Sequence, residues 1–284
     1  LKVIWVLENI EKNENFYSQL NILMLLASVS LWKRNHREDE CIFFGDDITI
    51  DFLDRLKVLD LWDTIKPIPN PRKINKSVFW ASSKIQVLAS VEDPVIIMDN
   101  DTHIYKPIKH LLDPDTVYVC NYEVGKGYYP MSADKYVQQL TYKNRWKSQS
   151  VNVSFLHLPD PDFTKRYAEL SLQMMEEFTA INAPNPQYLI FAEQLLLRHL
   201  LDKEEIPYKS IIYTYWDCKA WEWGEDHDQG LWPLVESEQY FKHYGPLKSW
   251  IKDSKADQNY DREILHLKNC INLPNLDYSL FKKR

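Results

Sequence analysis

Glycine is scarce, with 6 in 284 residues. Neither G-x-G-x-x-G nor G-x-x-x-x-G-K-[ST] occurs, so the dinucleotide fingerprint and the P-loop are both absent. Most dehydrogenase and kinase readings fall with them. Cysteine is sparse too. Cys41, Cys120, Cys218 and Cys270 stand far apart and form no metal-type pair. Reduced thiols in a cytosolic protein are the default, so the expected location is cytoplasmic. No run of ~18 apolar residues is present to span a membrane. The chain opens on Leu1, which leaves a preceding signal or anchor open. Positive charge is short: Lys+Arg 34 against Asp+Glu 41 gives −7. General nucleic-acid binding needs a basic face, and this chain is acidic. The basic tail Lys282-Lys283-Arg284 reads as solvated. As a peripheral membrane contact it would add only roughly 1 kcal/mol per charge.

Aromatic residues are plentiful at 13%, with 10 Trp and 17 Tyr. They serve a rich core or the stacking of sugars and bases. Trp80, Trp221 and Trp223 read as packing. The length suits one large or two small domains, and no change in composition marks a linker. We expect one domain in two parts, residues 1–108 and 109–284. Short apolar runs at Lys2–Leu7, Cys41–Phe44, Ile65–Ile68 and Pro94–Asp99 read as strands. Helical patterns lie between them at Phe16–Trp32, Phe52–Trp62 and Ser77–Val91. This alternation predicts an α/β fold with a mainly parallel sheet and helices on both faces. Later strands are expected at Thr116–Asn121 and Ser150–Leu158. Later helices are expected at Phe163–Phe178 and Tyr188–Leu201.

The most informative stretch is Pro94–Ile108, PVIIMDNDTHIYKPI. Val95–Met98 reads as a strand buried on both faces. Asp99-Asn100-Asp101 then stands at its C-terminal end, the edge where open α/β sheets bind ligands. Carboxylates at i and i+2 on a turn leaving a rigid strand can share one divalent cation. Such a cation can hold a diphosphate. The bland alternative is a solvated turn, because Asp and Asn favour turns.

The pattern resembles a GT-A glycosyltransferase, which uses a nucleotide-sugar donor. The likeness rests on the hydrophobic strand with Asp99-Asn100-Asp101, on the strand Ser150–Leu158 with Asn152, and on Glu193-Gln194 in an apolar helix. It also rests on His243–Trp250, HYGPLKSW, which resembles the H-x-x-G-x-x-K-P-W loop of the retaining glycogenin-like family. One residue is missing between His and Gly, and Ser249 replaces Pro. The resemblance implies that Asp99 and Asp101 bind Mn²⁺ or Mg²⁺, with His243 or His266 as third ligand. Lys248, and Lys84 as a second candidate, would meet the diphosphate. Glu8, Asn9, Asp46, Asp47 and Asn100 would bind the nucleotide. Glu193 or Gln194 would lie beside the transferred hexose. The implied donor is a UDP-sugar, the acceptor a glycan hydroxyl, and the stereochemistry retaining. The aromatic segment 213–223 is the expected acceptor wall. Lys84 also reads as a solvated helix lysine, His243 as a surface histidine, and Glu193 as half of a buried ion pair.

Two other classes compete. HAD-type phosphatases also carry Asp-x-Asp after a hydrophobic strand. Here His103 stands where their Thr is expected, and the acidic Gly45-Asp46-Asp47 precedes the motif rather than following it. The other class is a nucleotide or carbohydrate binder without catalysis, because fold alone does not imply activity.

Overall fold

The computed structural model describes residues 1–10, 18–69, 72–123, 140–142, 150–183, 185, 187–211, 241–244, 258–271, 273, 276 and 281. In chain order the elements begin with β1 (Lys2–Leu7), α1 (Gln19–Asn35), β2 (Glu40–Gly45), α2 (Asp47–Arg55), β3 (Thr64–Pro67) and α3 (Ser82–Leu88). β4 (Val95–Met98), β5 (Thr102–Ile104), β6 (Val117–Glu123), β7 (Ser150–Leu158) and α4 (Pro161–Ala180) follow. Next come α5 (Gln187–Ile190), a π-helical turn (Phe191–Leu195) and α6 (Leu196–Lys203). β8 (Tyr208–Ser210), β9 (Phe241–His243) and α7 (Gln258–Ile271) complete the described chain. The chain divides into two compact units. The first is Leu1–Pro67, Met98–His110 and Glu236–Arg284; the second is Ile68–Ile97 and Leu111–Val235.

In the first unit the strands lie in the order β3-β2-β1. All are parallel, with Val3 opposite Cys41 and Ile42 opposite Thr64. Helix α1 is apolar on almost every side and buried accordingly, from Leu20 to Trp32. Ser18 caps it by accepting from Asn21 N–H, and Lys33 and Arg34 face the negative end of its dipole. The segment expected as one helix, Phe52–Trp62, is differently built. Asp46 caps the helix early by accepting from Thr49 N–H at 3.3 Å, so α2 begins at Asp47. It ends at Arg55. Lys57 takes φ 57°, and Leu59–Leu61 is a separate 3₁₀ turn. Buried Phe52, Leu53, Leu56 and Trp62 still share the core. Apolar periodicity reports that shared face and is blind to the break.

In the second unit the order is β4-β7-β6-β8. β6 runs parallel to β8 and antiparallel to β7, with an irregularity between Val119 and Asn121. All nine residues of β7 are buried. Asp160 caps α4 by accepting from Asp162 and Phe163 N–H, and Pro161 opens it. The helix buries Phe163, Tyr167, Met174, Met175 and Phe178 along one stripe. Phe178 stacks on Phe79 and meets Tyr188 edge-on. α3 is shorter than the expected Ser77–Val91. The architecture is α/β with a mainly parallel sheet, the expected class. Among the described residues no helix is long and apolar enough to cross a membrane.

Buried histidines give the fold a predictable acid limit. Burial lowers the pKa of His36 and His157, and takes His103 down to about 4. Each is held neutral in the folded chain. Below the ordinary value of 6.5 the unfolded chain takes up protons that the folded chain refuses. Their stabilising share is therefore complete above pH 6.5 and is lost as pH falls through the lowered folded values, down to about 4 for His103. Each can steepen the decline by up to about 1.4 kcal/mol per pH unit. Thermal unfolding across pH 7.5 to 4.5 should show a midpoint that is level above about pH 6.5 and falls below it. His157→Asn, which keeps an N–H for the Thr116 carbonyl, should flatten part of that fall. A midpoint constant over this range would contradict the assignment.

Candidate functional site

The turn after β4 is fixed before any side chain chelates. Thr102 N–H donates to the Asp99 carbonyl at 3.0 Å, closing the turn. Asn100 Nδ2 donates to the Val6 carbonyl of β1 at 3.0 Å. The middle residue of the Asp-Asn-Asp run thus ties the turn to the end of the first strand. β5 continues from it and is gripped by α1. Ser28 Oγ accepts from Trp5 Nε1 at 2.8 Å and donates to the Thr102 carbonyl at 2.6 Å. Asn35 Nδ2 donates to the Ile104 carbonyl at 3.0 Å. His103, fully buried and neutral, donates Nε2–H to the Met24 carbonyl at 2.9 Å.

β5 pairs antiparallel with β9, Thr102 opposite His243. Tyr244 N–H donates to the Asp101 carbonyl at 3.0 Å and extends the ribbon to the motif. This pairing brings the third residue to the carboxylates. His243 Nε2 lies 3.8 Å from Asp101 Oδ2, and the two side chains are 14% and 6% exposed. One ligand atom each from Asp99, Asp101 and His243 all lie within 4.8 Å of one another. Ligands stand roughly 2.0–2.1 Å from a small divalent cation, so two of them are at most about 4.2 Å apart. The group needs to close only by a fraction of an ångström. Two hard oxygens with one imidazole suit Mn²⁺ better than Mg²⁺. His266 is engaged elsewhere. Its Nε2 meets Tyr105 Oη at 3.1 Å and Cys270 Sγ at 3.6 Å.

The nucleotide candidates are more varied. Glu8 is half-buried just past β1, and Asn9 is buried. Asn9 N–H donates to Asp46 Oδ1 at 3.1 Å, the same oxygen that caps α2. Asp46 therefore braces the end of β1. Asp47, in the first turn of α2, is exposed. Lys248 lies outside the described residues, as do the rest of the loop 245–250, the aromatic segment 213–223 with Trp221 and Trp223, and Lys282–Arg284.

A second group lies within the second unit. Lys84 is not a solvated helix lysine: its Nζ sits 2.8 Å from Glu193 Oε1, with side chains 10% and 4% exposed. Its Nζ also reaches the Val153 carbonyl at 3.5 Å. Tyr167 Oη donates to the Glu193 carbonyl at 3.2 Å. Burial first, and then the nearby Glu193 charge, raise the Tyr167 pKa, so the hydroxyl stays a donor. Glu193 and Gln194 both occupy the π-helical turn, a local widening that recurs at functional sites. Gln194 Oε1 is buried with no hydrogen-bond partner among the described residues. Asn152 is buried in β7, its Oδ1 accepting from Ser154 N–H at 2.9 Å. Trp80, expected to pack, is 45% exposed.

Sequence reasoning missed the supports of the Asp99, Asp101 and His243 group. Lys242 and Tyr244 both reach Glu263 of α7. Burial pushes the Glu263 carboxyl up, but the Tyr244 hydroxyl and the Lys242 ammonium outweigh it and hold the pKa below the usual range. The available signal was the alternation of Lys242 and Tyr244 about His243. Nothing local announced Glu263.

Residues 65–248 match the model of a family of unknown function, DUF6734. The chain belongs to this family. No curated protein matches the sequence of this DUF6734 member. Among solved structures it is similar to an active-site variant of LgtC, with TM-score 0.54 and 11% identity over 95% of each chain. It is also similar to the galactosyltransferase LgtC in complex with donor and acceptor sugar analogs, with TM-score 0.53 and 11% identity over 98% of each chain. At this identity the likeness establishes the fold, which is GT-A-like.

Proposed function

We propose that this DUF6734 protein is a metal-dependent hexosyltransferase using a nucleotide-sugar, with UDP as the carrier. The observation that carries the reading is the group Asp99, Asp101 and His243, set after a central strand of a GT-A-like fold. These residues would hold Mn²⁺. The bound cation would neutralise the diphosphate, the group that gains charge as the glycosidic bond breaks. Glu8, Asn9, Asp47 and Asn100 are the nucleotide residues of this reading, and Lys248 is its second diphosphate cation. Asp46 contributes by bracing Asn9. Lys84, paired with Glu193, is the second candidate for the diphosphate.

Glu193 and Gln194 are the catalytic candidates beside the hexose. Their place in the π-helical turn supports this role. In the transfer the bond from the anomeric carbon to the diphosphate oxygen breaks. A bond from that carbon to the acceptor oxygen forms, and the acceptor hydroxyl proton passes to the departing diphosphate, which keeps the electron pair of the broken bond. Residues 1–108 are the donor half and 109–284 the acceptor half. The acceptor is a glycan hydroxyl, and retention follows from the resemblance of the loop at His243–Trp250. The test is whether the chain binds a nucleoside diphosphate only when a divalent cation is present.

A further inference from the structure

β9 is three residues long, yet it supplies the imidazole of the metal group. A single strand pairing leaves such a short segment free to twist. What fixes its facing lies on its other side. Side chains alternate along a strand, so Lys242 and Tyr244 point away from the face that carries His243. Both converge on one oxygen. Lys242 Nζ is 3.1 Å from Glu263 Oε1, and Tyr244 Oη donates to the same atom. The Lys242 ammonium also lies 4.0 Å from the centroid of the Tyr244 ring. Tyr244 is fully buried, and the Glu263 side chain is 15% exposed. Glu263 belongs to α7, which packs against α1, and α1 in turn holds the carbonyl of Thr102 and the ring of His103. The ribbon is thus gripped on both strands, β5 by α1 and β9 by α7.

We propose that Glu263 is the positioning residue for His243, acting through Lys242 and Tyr244 to hold the imidazole towards Asp99 and Asp101. This rests on the metal reading above. Partners that orient a metal ligand typically contribute 10–100-fold in affinity.

The experiment is titration of the full chain with Mn²⁺ alone, following the electron paramagnetic resonance signal of the free ion. Glu263→Ala should raise the Kd about tenfold. Glu263→Gln, which keeps an acceptor for Tyr244, should restore much of the loss. In a His243→Ala background Glu263→Ala should add nothing, because its effect passes through that imidazole. Where Glu263→Ala does not fold, Tyr244→Phe keeps the buried ring, removes the hydroxyl and carries the same comparison. Parent-like affinity in the Glu263 variants, or the same loss with and without His243, overturns the proposal and leaves the metal site standing. A parent chain that takes up no Mn²⁺ overturns both.

Discussion

Asp101→Ala is expected to lower hexosyl transfer by about 10³ or more while leaving the chain folded. A Lewis-acid cation supplies several kcal/mol at the developing charge, and each 1.36 kcal/mol is about tenfold in rate. Asp101 offers a buried carboxylate to the group, whereas its main-chain carbonyl takes Tyr244 N–H. Substituting the side chain removes the first and spares the second, so the ribbon of β5 and β9 survives. Asp99→Ala should act alike. Mn²⁺ should raise the thermal midpoint of the parent, because a ligand that binds only the folded state stabilises it. The same addition should leave the midpoint of Asp101→Ala unmoved. A folded Asp99→Ala, Asp101→Ala double variant that transfers hexose at the parent rate would sink the assignment.

The second large effect is on stability. Lys84→Met should cost about 3–5 kcal/mol, because it strands the Glu193 carboxylate without its cation. The side chains are only 10% and 4% exposed, so water offers little relief. Glu193→Met should also destabilise, because it removes the carboxylate 2.8 Å from the Lys84 ammonium. The double variant Lys84→Met, Glu193→Met should recover most of the loss, since a well-packed apolar pair often matches a buried ion pair. It should nonetheless remain inactive if Glu193 serves the sugar. Denaturant unfolding of the four proteins gives the coupling directly. Single variants that each lose under about 1 kcal/mol, the range of an exposed pair, would contradict the burial of this contact.

The sequence and the structure agree most where side-chain period and burial coincide. β7 was legible end to end as SVNVSFLHL, and β1, β2 and β4 as apolar runs closed by polar residues. Asp99 and Asp101 stood out as carboxylates at i and i+2 directly after a buried strand, and the structure brings both within reach of His243. His243 could be suggested only through its loop, since the ribbon that delivers it joins segments far apart in the chain. Helix α2 was misplaced because a capping Asp46 and a left-handed Lys57 set its ends, and neither alters the apolar pattern. The π-helical turn at Phe191–Leu195 was invisible for a related reason. One extra residue in a helical turn changes which way Glu193 and Gln194 face without changing composition. Lys84 and Glu193 are far apart in sequence, so their pairing needed the packed unit to appear.

Calorimetric titration of UDP, with GDP as comparison, in Mn²⁺ and then in EDTA reads the donor site and its need for metal together. UDP is expected to bind in Mn²⁺, GDP to bind more weakly, and EDTA to abolish both heats. UDP binding of equal strength in EDTA, or no binding of either nucleotide in Mn²⁺, would contradict the metal-dependent donor site.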